Sequence, residues 1–397
     1  MTHPEALSQW TETVTRELPH LSRAQGRVLA WWSYGMVMTQ GCGCPTIAVF
    51  LGLVLGKGYH ALRQCLREWC YDASDKQGLG RQEVVVTACF APLLSWVLRH
   101  WAGRRLALAV DATSLSDCFV VLTVSVVYRG CAIPVAWKIL RAQEKRAWRR
   151  EWLVLLRLLK PAVPPDWEVI VLADRGLYAR WLFTRIVRLG WHPFLRINTA
   201  GTFHPTGSDQ RCRLATLVPQ VGTAWAGPGI AFTGADRRLA CTLLACWDAG
   251  HKDPWFVLTD LAPDTCQVAW YGVRSWIEQG FKTLKRGGWQ WQQTRMTDPA
   301  RAERLWLALA VATFWVLSVG TATEQDSDHR VIADLTPTPS RPRRIRLFRL
   351  GRLALVAALT RAHALPLPGQ LPADPWPGEA SSPALACPSH PTTARAA

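Results

Sequence analysis

The sequence predicts a mixed α/β fold preceded by an all-α region, and three observations lead to that prediction. Apolar residues recur at helical spacing up to about residue 103. From residue 104 onwards, short apolar runs follow one another, separated by polar or glycine-bearing turns. Candidate helices then alternate with further short runs. The resulting order of elements, βββαβαβ, is that of one mixed sheet.

The leading region, residues 1–103, is expected to be a helical domain, with apolar residues spaced as in LSRAQGRVLAWWSYGMVM and HALRQCLREWC. The segment PTIAVFLGLVLG, a turn at Lys57 and Gly58, and YHALRQCLREW are typical of two helices joined by a short turn. Arg63 and Arg67 would lie on the second helix, where a DNA-binding helix-turn-helix presents its contacts. An ordinary helical hairpin with a solvated basic face explains the pattern equally.

The sheet is predicted from seven consecutive segments. The runs LALAV, CFVVLTVSVVY and AIPVAWKIL read as three strands, followed by the helix REWLVLLRLLK, the strand VIVLA, the helix RWLFTRIVRLG and the strand HPFLRI. Residues 197–262 contain many glycines and threonines and short runs such as RLACTLLACW and PWFVLT, which indicates a β-rich insertion. Helical spacing returns over about 265–286. We therefore expect this domain to span residues 104–320.

Leu305–Thr323 carries no charge and approaches the roughly 20 residues that span a bilayer. We expect a buried core helix instead, because small and polar residues dilute this stretch and it is the only one of its kind. Residues 334–397 are rich in proline and arginine and include RPRRIRLFRLGR, which predicts a mobile basic tail.

The charge of the chain points to a polyanionic partner. Lys and Arg number 46 against 29 Asp and Glu, and the excess is spread along the sequence. Nucleic acid fits better than a membrane surface, because there is no signal peptide and no separate basic amphipathic helix. The 12 cysteines include no CxxC pair. They are expected to be small buried residues and not disulfides or zinc ligands.

Two aspartates occupy equivalent places in the predicted sheet. Asp111 directly follows LALAV, and Asp174 directly follows VIVLA. Ligands collect at the carboxyl edge of such sheets, and on neighbouring strands these carboxylates would reach a common ion. Taken singly, each has a structural explanation, because Asp-Ala-Thr is typical of an Asx turn and Asp-Arg-Gly of a strand exit.

A third acid lies in a polar row on the helix that follows the insertion. Tyr271, Arg274, Glu278 and Lys285 are separated by steps of 3, 4 and 7 residues. At about 100° per residue they form one stripe roughly 60° wide, bordering an apolar stripe suited to burial on the sheet. A surface ion pair would by itself explain Arg274 and Glu278, but not their coincidence with two strand-end aspartates in a basic chain.

These four residues match the Y-(2)-R-(3)-E-(6)-K signature completely, and the sequence resembles the DDE transposases of bacterial insertion sequences that carry it. The segments VDATSLS and ADRGLYARWLF look like the first-strand and fourth-strand motifs of that family. A β-rich insertion falls between the second and third acids in such transposases, as it is predicted to do here. The resemblance covers about residues 104–320.

The resemblance implies an RNase H-like fold and phosphoryl transfer by two Mg²⁺ ions, for which Mn²⁺ can substitute. Asp111 would bridge both ions, while Asp174 and Glu278 would each hold one. Water would release a 3′-hydroxyl at the end of the element, and that hydroxyl would attack target DNA.

The family also implies DNA contacts. Arg274 and Lys285 would bind phosphates of the transposon end, and Tyr271 would hydrogen-bond the backbone nearby. Trp255, which opens PWFVLT, resembles a tryptophan that stacks a flipped base in some members, although packing explains most tryptophans in a chain that has 22. The implied partner is double-stranded DNA, both the element ends and the target. A homodimer would bind it in a synaptic complex, in the bacterial cytoplasm at the nucleoid.

Two other functions fit parts of the pattern. A transposase descendant could bind DNA without cleaving it, but the three acids are intact. A non-transposing RNase H-like nuclease would need the acids but not the row of Tyr271, Arg274 and Lys285. The helical leading region and the proline-rich tail are not diagnostic of the family, which leaves end recognition and assembly open.

Overall fold

The N-terminal part of the chain is helical, as predicted. A computed structural model describes residues 1–76, 81–144, 148–232, 238–326 and 343–379. The first helices are α1 (His3–Glu17), α2 (Arg23–Thr39), α3 (Cys44–Leu55), α4 (Tyr59–Trp69) and α5 (Val86–Arg99). The predicted pair of helices joined by a short turn is α3 and α4. Gly56 ends α3 in the left-handed region, at φ 64°, which glycine adopts without strain.

The sequence determines where the first helices begin. The Thr2 side chain accepts a hydrogen bond from the backbone N–H of Glu5, and the Glu5 carboxylate accepts one from the backbone of Thr2. Ser22 and Gln25 form the same reciprocal arrangement at the start of α2. Each capping box satisfies two backbone donors that have no partner inside the helix.

A ten-stranded sheet forms the centre of the protein, and the predicted order βββαβαβ is confirmed. After the two-residue strand β1 (Trp101–Ala102), the elements in that order are β2 (Arg105–Leu115), β3 (Phe119–Tyr128), β4 (Cys131–Arg141), α6 (Arg149–Leu159), β5 (Glu168–Ala173), α7 (Arg180–Arg188) and β6 (His192–Arg196). Strands β2, β3 and β4 are antiparallel neighbours, whereas β5 runs parallel to both β2 and β6. Leu106–Val110 of β2 is buried throughout, which explains the uninterrupted apolar run.

The segment 197–262 is β-rich, as predicted, and it extends the same sheet. Its elements are β7 (Thr202–Pro205), β8 (Cys212–Arg213), α8 (Leu214–Leu217), β9 (Ala224–Ala231), β10 (Leu239–Cys246) and β11 (Trp255–Thr259). Strand β11 pairs antiparallel with β6, so the sheet order is β4-β3-β2-β5-β6-β11-β10-β9-β7-β8. The insertion therefore begins and ends beside the parallel strands.

The segment of about 265–286, predicted to be one helix, consists of two helices of different type. A 3-10 helix spans Val268–Ser275, and α9 (Trp276–Leu284) continues from it. One glycine and four valine or aromatic residues in Val268–Ser275 disfavour the α-helix. Turns of 3-10 helix are common at helix starts. At three residues per turn, Tyr271 and Arg274 still share one face.

The long apolar helix is α10 (Pro299–Gln325), and it lies in the core. Its length and composition would allow it to cross a membrane, but 94% of its most apolar 18-residue window is buried inside the protein. Trp315 stacks on Trp10 of α1, with ring centroids 3.9 Å apart. The leading helices and the sheet therefore contribute to one continuous cluster of buried residues.

Part of the segment predicted to be a mobile tail is packed on the rest of the protein. Helix α11 (Leu347–Thr360) buries Phe348 and four of its five leucines. Gly351 lies so close to α10 that a Cβ there would collide with the Val316 carbonyl. Arg343 pairs with Glu324 at 2.6 Å. Strand β12 (Leu371–Pro372) pairs with β1.

The amphipathic spacing of leucine and arginine in this segment, not its proline content, explains why it packs. Residues 334–342 and 380–397 of the predicted tail lie outside the described residues.

Candidate functional site

The guanidinium of Arg274 holds together the three acids that the sequence singled out. Its Nη2 donates to Asp111 Oδ2 at 2.8 Å and lies 3.4 Å from Asp174 Oδ2, and its Nη1 donates to Glu278 Oε1 at 2.8 Å. Only 9% of the Arg274 side chain is exposed. The three acids therefore meet at one cation, although Asp111 and Arg274 are 163 positions apart in the sequence.

Parallel pairing of β2 and β5 places the two aspartates side by side. The last pair in that ladder is Val110 with Ala173, and Asp111 and Asp174 are the next residues on each strand. The sequence predicted that β2 would end at Asp111. Instead β2 continues to Leu115, because its antiparallel ladder with β3 extends that far. Asp111 thus has a strand partner on one side only.

Helix α9 brings the third acid to this edge. It packs on β4, β3 and β2, with Ile277 fully buried, and Glu278 lies in its first turn. The Glu278 side chain is 58% exposed, compared with 21% for Asp111. The acids therefore form a gradient from the sheet towards solvent, with Asp111 innermost.

Burial and charge act in opposite directions on Asp111. Burial raises the pKa of its carboxyl, the Arg274 guanidinium and the Ala112 backbone N–H lower it, and the charges of Asp174 and Glu278 raise it again, with a net upward shift. When ionised, the three acids carry three negative charges against the one positive charge of Arg274. A site with this imbalance attracts a further cation.

The donor chemistry suits a hard divalent cation, because carboxylate oxygens are the ligands that Mg²⁺ prefers. Within the described ranges, however, no three His, Cys, Asp or Glu side chains lie close enough to hold an ion together. Arg274 lies between Asp111, Asp174 and Glu278 and separates their oxygens. The acids can therefore share an ion only if the guanidinium moves away.

Tyr271 and Trp255 lie beside the acids. Tyr271 is buried, and burial together with the nearby Asp174 carboxylate raises the pKa of its hydroxyl, which therefore stays neutral. Its ring meets that of Trp255 edge to face at 5.2 Å. Trp255 opens β11, as expected, but His251 already stacks on it at 4.2 Å and Arg196 lies 5.8 Å from its ring centroid.

Lys285 follows the end of α9 and is bound to β2. Its Nζ donates to Thr113 Oγ1 at 2.8 Å and to the Ser114 carbonyl at 2.6 Å, and burial lowers the pKa of its ammonium. Thr113 lies two residues after Asp111 on the same strand. The sequence analysis did not single out Thr113, Ser114, His251 or Arg196. The polar run DATS after the first acid was the one local signal for any of them.

Arg63 and Arg67 lie away from this centre. Both are on α4 and line a separate cavity of about 760 Å³, whose wall also includes Arg295 and Arg301. Arg67 lies over the Tyr71 ring, 5.8 Å from its centroid. The structure therefore gathers the other seven predicted residues around one sheet edge and leaves these two apart.

The chain is similar to known transposases. The family model described as the transposase DDE domain matches residues 100–315, more than half of the chain and a span that contains all three acids. No curated protein matches the sequence. A piggyBac transposase synaptic complex with hairpin DNA, solved by cryo-EM, is similar over 90% of this chain and 79% of its own, with 9% identity and a TM-score of 0.39.

Replacing the central cation should make stability depend on pH. In Arg274→Gln the buried Asp111 loses its counter-charge, so the folded-state pKa of its carboxyl rises further while the unfolded value does not change. The folded state then binds more protons than the unfolded state, and stability falls as pH rises above 3.8, the ordinary Asp value. We expect the variant to lose about 3 kcal/mol near pH 8 and clearly less near pH 5, measured by urea unfolding.

The matched control is Arg301→Gln, which removes a half-exposed pair with Asp75 and should cost less than about 1 kcal/mol at either pH. An equal loss at both pH values for Arg274→Gln would show that the guanidinium does not govern the charge of the acids.

Proposed function

The chain belongs to the transposase DDE-domain family, and on that premise we propose that it binds the ends of an insertion sequence, hydrolyses a phosphodiester bond there and joins the freed 3′-hydroxyl to target DNA. The convergence of Asp111, Asp174 and Glu278 on one buried guanidinium carries the proposal. The three acids and their cation lie at the carboxyl edge of parallel strands, where α/β proteins bind their ligands.

The catalytic domain proposed here is RNase H-like and spans residues 104–320, with the β-rich insertion at about 197–262. Three antiparallel strands followed by two parallel crossovers, in the order β4-β3-β2-β5-β6, support that assignment. Residues 1–103 would form the helical leading domain. The spacing of Tyr271, Arg274, Glu278 and Lys285, which resembles the family signature, supports assignment to the insertion-sequence group.

The proposed cofactor is Mg²⁺, as two ions, with Mn²⁺ as a substitute. Asp111 would contact both ions, with Asp174 and Glu278 holding one each. Bound ions would activate the attacking oxygen and stabilise charge on the leaving oxygen.

The protein's own residues prepare the site for DNA. The β2–β5 ladder fixes Asp111 and Asp174, so their positions do not depend on the ligand. Arg274, once it leaves the carboxylates, has a planar fork of donors that suits a phosphate. Neutral Tyr271 can donate its hydroxyl hydrogen to the DNA backbone beside the acids. Lys285 places a positive charge at the end of β2.

The proposed partner is double-stranded DNA, bound by a homodimer that holds two element ends together at the bacterial nucleoid. Arg63 and Arg67 would contribute to DNA binding from α4, whose exposed face is basic. A DNA-binding protein without cleavage activity would show neither nicks nor joined products. A non-transposing nuclease would give nicks without joined products.

Removing the charge of one acid should abolish the chemistry without abolishing binding. In Glu278→Gln the amide keeps the size of the side chain but no longer attracts an ion, so Mg²⁺-dependent nicking and joining should fall by at least about 100-fold. DNA binding in EDTA should stay within about twofold. Gel assays of nicked and joined strands, with Glu12→Gln on the exposed face of α1 as the isosteric control, measure both. Nicking at the wild-type rate by purified Glu278→Gln would refute the assignment.

Trp255 is proposed to stack a base flipped out beside the cleaved bond, a contact worth roughly 1–3 kcal/mol. Because His251 covers one face of the ring, the base would displace His251 or use the opposite face. A 2-aminopurine next to the cleaved bond should brighten with wild type and with Trp225→Ala, a control on β9, but not with Trp255→Ala. Equal brightening in all three proteins would exclude Trp255 from base stacking.

A further inference from the structure

A basic cleft lies next to the acids, between α9 and the C-terminal segment. The cavity measures about 870 Å³, and six lysines and arginines but no aspartate or glutamate line it. These six residues define the basic cleft. They are Lys282, Lys285, Arg286, Arg344, Arg346 and Arg349.

The charge of the basic cleft is not balanced by the protein. Within the part of the chain that the structure describes, none of its six cations forms an ion pair with a carboxylate. By contrast, Arg343, which precedes Arg344 in the chain and lies outside the cleft, pairs with Glu324. Gathering six like charges around one cavity costs free energy through mutual repulsion. An anionic ligand would offset that cost, and the remaining polar wall offers hydroxyls and amides such as Ser116, Gln279 and Gln292.

The basic cleft adjoins the acidic centre. Ser114 and Lys285 line it, and Lys285 is hydrogen-bonded to Thr113 and Ser114 of β2. Asp111 lies three residues before Ser114, about 10 Å along an extended strand. That distance corresponds to about three nucleotides along the axis of duplex DNA, at roughly 3.4 Å for each phosphate of one strand, so a strand held at the acids would reach the cleft.

Apolar contacts anchor the C-terminal wall of the basic cleft to the core. Phe348 of α11 meets Trp289 edge to face at 5.0 Å, which connects the C-terminal segment to the chain just beyond α9. The side chains of Arg344, Arg346 and Arg349 are exposed on a segment held to the core by Leu347 and Phe348. Their charges therefore face the cavity from a fixed backbone.

We propose that the basic cleft binds the phosphate backbone of the DNA strand that passes through the acidic centre, and that Arg344, Arg346 and Arg349 make the C-terminal segment part of the DNA-binding surface. The inference rests on the proposed function for the identity of the polyanion. Six cations on two walls beside the acids suit consecutive phosphates better than one small anion.

The test uses the full-length double variant Arg344→Ala/Arg349→Ala and a labelled DNA duplex of arbitrary sequence with a single-stranded 3′ extension, in EDTA. Removing two phosphate contacts should lower the slope of log Kd against log salt by about 1.5 and weaken binding several-fold. Arg344→Lys/Arg349→Lys keeps the charge and should keep the slope. The matched control, Arg23→Ala/Arg361→Ala, removes two exposed arginines outside the basic cleft and should leave the slope unchanged.

Because the assay contains no metal ion, its result does not depend on cleavage. If the alanine double variant keeps the full salt slope while Glu278→Gln loses nicking, the basic cleft does not bind the strand and the transposase proposal stands. Should the alanine variant fold poorly, ultraviolet crosslinking of the wild-type complex gives the answer. Crosslinked peptides from 282–286 and 343–349 are expected. Absence of these peptides would overturn the inference, and so would complete displacement of the DNA by a mononucleotide.

Discussion

The contact between Arg274 and three carboxylates is the interaction on which the site depends. It joins β2, the residue after β5 and the first turn of α9, and so adds a polar contact between the helix and the paired strands β2 and β5. Bringing Asp111, Asp174 and Glu278 together without a cation would be opposed by repulsion and by the burial that already raises the Asp111 pKa. Arg274 therefore keeps the acids assembled while the protein has no ion or DNA bound.

The same contact explains how binding of metal and DNA would be linked. One guanidinium cannot stay between the carboxylates while they share an ion, but a phosphate placed at the acids offers it a new bidentate partner. A phosphate bound at the acids would draw Arg274 outwards and free the carboxylates for ions, and the basic cleft beyond Lys285 would hold the rest of the strand. Chemistry would then start only when DNA is in place.

Much of this arrangement was predictable because it is encoded locally. The runs LALAV and VIVLA are buried strands, so the aspartates after them meet at one edge, as expected. Long-range pairing was not predictable: nothing in PWFVLT indicates that β11 joins β6, or that β2 continues past Asp111. In RPRRIRLFRLGR the arginines obscured the apolar face that docks α11 on α10. Arg274 was expected at a DNA phosphate but lies between the acids. Its expected position requires bound ions and DNA, which the sequence pattern does not describe.

Electron paramagnetic resonance of Mn²⁺ bound to the protein tests the central claim most directly, because it counts ions without relying on cleavage. With a DNA end present, wild type should bind up to two Mn²⁺ ions, whereas Asp111→Asn, which removes the acid proposed to contact both, should bind neither tightly. Undiminished Mn²⁺ binding by Asp111→Asn would contradict the account, because the ions would then be held somewhere other than at the acids around Arg274.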